Sequence, residues 1–292
     1  MRDIGFEYSP IITREVLKWP GDARLAVWVG VAVEHHEFDL PTIGGSGMVS
    51  GSVPDVRNFS ARDYGPRVGI WRLTDLLDRF EIRTTAFLNS SACDHYPIII
   101  DEARKRDWEF MAHGVTNSKI LSNLPVDEER GIIRGVIQRI TDAVGERPVG
   151  WIGPGLAETF NTRDILVEEG IRYVCDWCND DQPYLMRAGK GKLVSVPYSV
   201  ELNDLPAFTY AHLSPEEFYQ MVRDQFDILY EEGKTNGRVM SIGLHPNIIG
   251  IPFRIKCLER ILKHITNRKD VWLATPSEIV DWCDEHYFGG SE

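Results

Sequence analysis

Arg24 to Val33, RLAVWVGVAV, is an apolar run whose only charge is at its first residue. It is too short to span a bilayer and long enough for a strand that water touches on neither face. Such strands belong to parallel sheets covered by helices; an antiparallel sheet with one wet face alternates apolar and polar residues instead. The run ends abruptly in Glu34-His35-His36-Glu37-Phe38. A chain built around this strand must supply further parallel strands, crossover helices and a reason for the ionisable groups at its end.

The first two are readable downstream. Residues 1–23 form an irregular lead-in punctuated by Pro10, Pro20 and Gly21. Residues 39–65, rich in Gly, Ser and Pro, read as a long loop of the kind that serves as a lid or a subunit contact. From about Pro66, Val68, Trp71, Leu73, Leu76, Leu77 and Phe80 mark one face of a helix. Strands are expected at 83–88, 108–112, 147–152, 171–175, 193–198, 238–244 and 271–274. Helices are expected at 94–106, 125–144, after Asn161, at 215–232 and 253–266, and from Pro276 onward. Ser214-Pro215-Glu216-Glu217 is a capping box, and Thr275-Pro276-Ser277-Glu278 caps the last helix. About eight strands alternating with helices imply parallel pairing through right-handed crossovers. No repeat or linker divides them, so residues 1–292 are expected to form one α/β domain, a single (β/α) barrel, closed or distorted.

Composition bounds the partners. A net charge of −12 argues against nucleic acid and anionic membranes, which attract basic patches. The stretch MRDIGFEYSPIITREV has no continuous apolar core and does not read as a signal peptide. An odd number of cysteines, five, suggests reduced thiols in a cytoplasm. Cys175 and Cys178 make a lone CxxC, weak evidence for zinc. The expectation is a cytoplasmic protein with a small-molecule substrate.

The chemistry gathers at strand ends. Glu34, Asn89, His113, Gly153, Asp176, Asp204 and His245 all follow strand C-termini, and in a parallel barrel those ends share the face on which active sites are built. One histidine at a strand end can simply satisfy backbone carbonyls. Two on one face, with Glu34 and several aspartates, point to catalysis. Glu34 is a candidate general base or metal ligand, and burial together with Glu37 would raise its pKa toward neutrality.

Taken together, these segments resemble the polysaccharide deacetylase (NodB-homology) superfamily. They are Glu34 after its strand, His113-Gly114, Gly150-Trp151 with Gly153-Pro154, Asn179 through Tyr184, Val196-Pro197-Tyr198-Ser199 through Asn203-Asp204, and Leu244-His245-Pro246. The resemblance runs from about Arg24 to the end and is strongest to the branch holding cofactor-independent allantoinases, cyclic imide hydrolases and some proteins called peptidoglycan deacetylases. It implies a distorted (β/α)₇ barrel, within one strand of the count above, and a homodimer or homotetramer. Family deacetylases hold a divalent metal through a carboxylate and the two histidines of His-x-x-x-His. Carried over, the ligands fall on Glu34, His113 and Asn117. An amide oxygen is a poor zinc ligand, so no cofactor is the first expectation and zinc the second, with His36 as a substitute ligand.

Without a Lewis acid an N-acetyl amide is a hard substrate, whereas a cyclic imide or ureide has a more electrophilic carbonyl and a better leaving nitrogen. The resulting expectation is ring-opening hydrolysis of a small C–N compound such as allantoin. Glu34 is the base. His113 binds the carbonyl oxygen or the water with Asn117 and Thr116, and His245 protonates the leaving nitrogen or stabilises the oxyanion. Asp180, Asp181, Asn203 and Asp204 hold ring amides or orient the histidines, His36 lies beside Glu34, and Trp151, Tyr184 and Phe38 wall the pocket. The alternatives are a metal-dependent glycan de-N-acetylase, disfavoured by the absence of an export signal, and a barrel that binds a ligand without catalysis.

Overall fold

The computed structural model describes residues 4–41, 44, 51–189 and 191–289. Among these, nine strands join one curled half-barrel sheet, an α/β architecture of the expected distorted (β/α) type. The strands are β1 (Leu25–Val33), β2 (Thr85–Leu88), β3 (Glu109–Ala112), β4 (Gly150–Trp151), β5 (Tyr173–Val174), β6 (Tyr184–Ala188), β7 (Gly191–Ser195), β8 (Arg238–Leu244) and β9 (Val271–Leu273). Their order is β6-β7-β5-β4-β3-β2-β1-β8. β9 lies beside the first residues of β1 and β2 beside its last, while β8 runs along most of β1. All these ladders are parallel except β6–β7.

Side-chain parity explains what reaches the site. Every residue of β1 is buried. Leu25, Val27, Val29, Val31 and Val33 pack under the helices, while Ala26, Trp28 and Ala32 belong to a second cluster inside the barrel with Phe87, Met111, Ile152 and Tyr198. Side chains two apart on a strand share a face. Glu34 therefore continues the inner row after Ala32, Asn89 continues it after Phe87, and His113 after Met111. His245 continues the row of Val239 and Ser241. Gly30 also belongs to the inner row, and a Cβ there would lie 1.9 Å from the Phe87 ring. The glycine is what lets that ring cross beneath the site.

Helices cover the outer face: α1 (Val56–Tyr64), α2 (Ile70–Arg79), α3 (Ala92–His95), α4 (Pro97–Lys105), α5 (Val126–Val144), α6 (Thr162–Glu168), α7 (Pro215–Glu232), α8 (Pro252–Thr266) and α9 (Pro276–His286). The caps anticipated on α7 and α9 are present, each as a reciprocal capping box, whereas Asn161, expected to cap α6, makes no side-chain capping bond.

Three expectations are corrected. The stretch 39–65 is not all loop: α1 begins after Asp55, whose carboxylate caps it by accepting from the Asn58 N–H at 3.0 Å, and a π-turn at Gly65–Gly69 leads into α2. Residues 42, 43 and 45–50 of that stretch lie outside the described residues. The helix expected at 94–106 is two helices, because Pro97 disfavours helical geometry at Tyr96 (φ −132°, ψ 50°). β6 is a ninth strand that forms an antiparallel hairpin with β7. No helix among the described residues is long and apolar enough to cross a membrane.

Candidate active site

Three strand ends, those of β1, β3 and β8, meet at the Glu34 carboxylate. Its Oε1 accepts from Asn117 Nδ2 at 2.6 Å, with His113 Nε2 at 3.4 Å and His245 Nε2 at 3.6 Å. His36 Nε2 lies 3.5 Å from the other oxygen, Oε2. His35, one residue out of register, turns away and stacks on His95 with ring centroids 3.8 Å apart.

The histidines are oriented from behind. The His113 Nδ1–H donates to the Ile152 carbonyl at 2.6 Å, which leaves Nε2 pointing at Glu34. His245 Nδ1 meets Asp204 Oδ1 at 2.7 Å, and Asp204, fully buried, also accepts the backbone N–H groups of His245 and Ile249. Burial raises the Asp204 carboxyl against the opposing pull of His245 and those N–H groups. Burial alone would lower His245, but the charges of Glu34 and Asp204 push it up to about 10. For Glu34 the balance is reversed. Burial acts to raise it, yet the His245 charge and hydrogen bonds from His113, His245 and His36 hold it well below the ordinary carboxylate range. The expected upward shift is thus corrected. Glu37 turns to Lys119 at 3.2 Å instead of crowding Glu34. At neutral pH the centre is an ion pair, Glu34 carboxylate with His245 imidazolium.

An amide relay fixes the polarity of Asn117. Asn89 Oδ1 accepts the His35 backbone N–H at 2.9 Å, so its NH₂ must serve the other partners. That NH₂ donates to the His113 carbonyl and, at 3.0 Å, to Asn117 Oδ1. The Asn117 oxygen is therefore occupied, and its N–H faces Glu34. A metal held by Glu34 and His113 needs a lone pair at that point and would meet a proton. Among the described residues no three His, Cys, Asp or Glu side chains are arranged to hold a metal ion. With Asn117 in this orientation, the set Glu34, His113 and Asn117 does not fit a divalent metal.

The pocket in front of Glu34 measures about 380 Å³ and is lined by His36, His113, Asn117, Asn203 and His245 among the anticipated residues. Its apolar wall includes Phe87, Ile152, Pro154 and Leu156. The wall loop is tied down by Asp176, which accepts the Gly153 N–H at 2.7 Å. Arg62, Tyr198, Tyr210 and Asn247 line the pocket too and were not anticipated. Arg62 sits on the polar helix α1, which carries no apolar stripe to announce it. Asn247 follows His245-Pro246 directly, and that position was its signal. Tyr198 accepts from Asn203 Nδ2 at 2.6 Å.

Other anticipated residues lie elsewhere. Asp180 pairs with Arg14 through two contacts of 2.7 and 2.6 Å, tying down the N-terminal lead-in. The Asp181 carbonyl accepts the Val239 N–H at 2.8 Å at the barrel seam. Tyr184 packs on Phe6 and donates to Asn179. Trp151, on the parity opposite to Ile152, is fully buried among the helix-side residues and walls nothing. Thr116 is buried, and its hydroxyl accepts the Ser118 N–H within its own turn. Phe38 is half exposed against Phe59.

A buried carboxylate, an imidazolium and a set of fixed N–H donors around a pocket of this size form a site for water-driven acyl cleavage. Known proteins place it. The polysaccharide deacetylase family profile matches residues 60–174. A solved structure described as a "probable Polysaccharide deacetylase from Pseudomonas aeruginosa PAO1" superposes with a TM-score of 0.83 at 31% identity, covering 92% of this chain and 94% of that one. PuuE allantoinase superposes with a TM-score of 0.83 at 28% identity, over 92% and 93%. The peptidoglycan deacetylase of Helicobacter pylori is 25% identical over 250 residues, 75% of this chain and 84% of that protein. Fold and site together define a hydrolase acting on carbon–nitrogen bonds. The chain belongs to the polysaccharide deacetylase (NodB-homology) family.

Proposed function

We propose that this enzyme opens a small cyclic imide, amide or ureide ring, of the kind allantoin represents, without a bound metal. The orientation of Asn117 carries the reading: it presents a donor to Glu34 where a metal-dependent deacetylase requires a ligand. The similarity to PuuE allantoinase over nearly the whole chain supports it. A pocket of about 380 Å³ is at the small end of the usual range for small-molecule sites.

The steps use groups already in place. Water attacks the ring carbonyl and forms the C–O bond while Glu34 takes its proton. His245 Nε2 gives its proton to the departing nitrogen as the C–N bond breaks. Glu34 Oε1 and His245 Nε2 lie 3.6 Å apart, so a short movement returns the proton and resets the pair. Asn203 and Asn247 offer amide groups that match the edges of an imide or ureide ring.

The test is hydrolysis of succinimide, hydantoin, dihydrouracil, allantoin and N-acetylglucosamine oligomers, each with and without chelator. Turnover of a cyclic compound that survives chelator is the expected result. Deacetylation of the oligomers alone, abolished by chelator, would establish the second reading, a metal-dependent glycan de-N-acetylase, which the Helicobacter pylori relative favours.

A homodimer or homotetramer is part of this proposal, as is a cytoplasmic location. Ile228 of α7 and Phe253 of α8 present exposed apolar surface on neighbouring helices. Light scattering should give two or four times the 33.3 kDa chain mass; a monomer at micromolar concentration rejects the oligomer.

A further inference from the structure

Behind Glu34 lies a second, much smaller cavity of about 20 Å³, between the end of β1 and helices α2 and α4. Val33, Ile70 and Ile99 supply its apolar wall, and it shares Glu34, His36, Arg62 and Asn247 with the substrate pocket. It is an annex of the site, sized for one water, which needs roughly 10–15 Å³ for its centre and two to four polar partners. Glu34, His36 and Arg62 supply such partners. His36 Nδ1 is a buried polar atom with no hydrogen-bond partner among the described residues.

The two oxygens of Glu34 are not equivalent. Oε1 accepts from Asn117 at 2.6 Å and faces the His113 and His245 rings. Oε2 has His36 Nε2 at 3.5 Å, too long for a strong hydrogen bond. The oxygen with spare lone pairs is the one on the side of His36, a residue that lines both the annex and the substrate pocket.

We propose that the annex is the binding site of the hydrolytic water, held by Glu34 Oε2 and His36 and delivered past the carboxylate to the substrate carbonyl. The water's oxygen forms the new bond to carbon, one of its protons passes to the Glu34 carboxylate, and the other stays on the product acid. The departing nitrogen takes its proton from His245. The proposal rests on C–N hydrolysis and not on the identity of the ring. The assay uses whichever compound of the panel above is turned over, so a failure of the ring-opening reading changes the substrate and leaves this comparison intact.

Val33→Ile adds one methylene to the annex wall, about the volume of one water. The crystal structure of the unaltered protein should show an ordered water bonded to Glu34 and His36, and in V33I that water should be displaced. Its loss should lower kcat at least 20-fold with KM changed less than threefold, because the substrate pocket is untouched. If V33I retains the water, it should retain kcat. A dry annex in the unaltered protein overturns the proposal. So does a V33I enzyme that loses the water yet keeps kcat within twofold, or keeps the water yet loses kcat.

Discussion

Glu34→Gln should abolish most turnover, lowering kcat by roughly 10³-fold, within the range typical for loss of a general base. The amide has nearly the shape of the carboxylate, so the pocket should survive and KM should move little. Two effects combine in the loss. The variant has no lone pair basic enough to take the proton from water. It also removes the anion that does most to hold His245 in its cationic form against burial. The alkaline limit of any residual activity should therefore fall toward neutrality. Stability should respond in the acid range. Because Glu34 is held well below its ordinary value of 4.5, its contribution is present above that value and is lost as pH falls through the folded-state pKa. E34Q should lack that loss and show a flatter acid limb. Turnover within tenfold of the unaltered enzyme on the identified substrate would remove Glu34 from the base role.

Asp204→Asn separates charge from packing on the other side of the ion pair. Asp204 touches no pocket surface and is a positioning residue, acting through His245. In the unaltered enzyme the imidazolium persists to about pH 10, so activity that needs its proton should hold through neutral pH and decline above that point. With the charge of Asp204 gone, burial gains weight. The alkaline limb of kcat/KM should then move acidward by at least about one unit, the scale of a single lost ion partner. The same shift has a stability signature. A raised folded-state pKa contributes stability that is complete below the ordinary value of 6.5 and disappears as pH rises through about 10. D204N should lack part of that slope, the rest being kept by Glu34. It should also lose roughly 1–3 kcal/mol at all pH values, because three N–H groups converge on this side chain and an amide has only one accepting oxygen. Purely structural damage would lower stability without moving the pH profile, and that outcome would refute the positioning role.

The strands that carry the site were legible because burial on both faces leaves an unmistakable apolar run, and because abrupt polarity at its end marks the barrel mouth. β1 with Glu34 and β8 with His245 are the clearest cases. What escaped has physical reasons. The β6–β7 hairpin is a short edge with one wet face, so Tyr184–Ala188 has no apolar run to read. α1 buries only Asn58 among its residues, so neither the helix nor Arg62 on it has a periodic signal. Trp151 and Ile152 illustrate another limit. A strand of two residues gives no parity to count, and which of the pair enters the barrel is settled only by its neighbours. The downward direction of the Glu34 shift has no local signal, because residues far apart in sequence decide it: His245 and His113, together with His36, outweigh burial.

The sheet path stops at β8 on one side and at the β6–β7 hairpin on the other, with no strand pairing across the gap among the described residues. What bridges it is irregular chain. Gly243 and Asn203 form a single parallel bridge, Gly243 N–H reaches the Leu202 carbonyl at 3.3 Å, and Val239 N–H reaches Asp181. The stave that closes this barrel is thus the same loop that carries Asn203 and Asp204. One short segment therefore does two jobs: Leu202 and Asn203 hold the seam against Gly243, and Asp204, next in the chain, holds the imidazole of the acid.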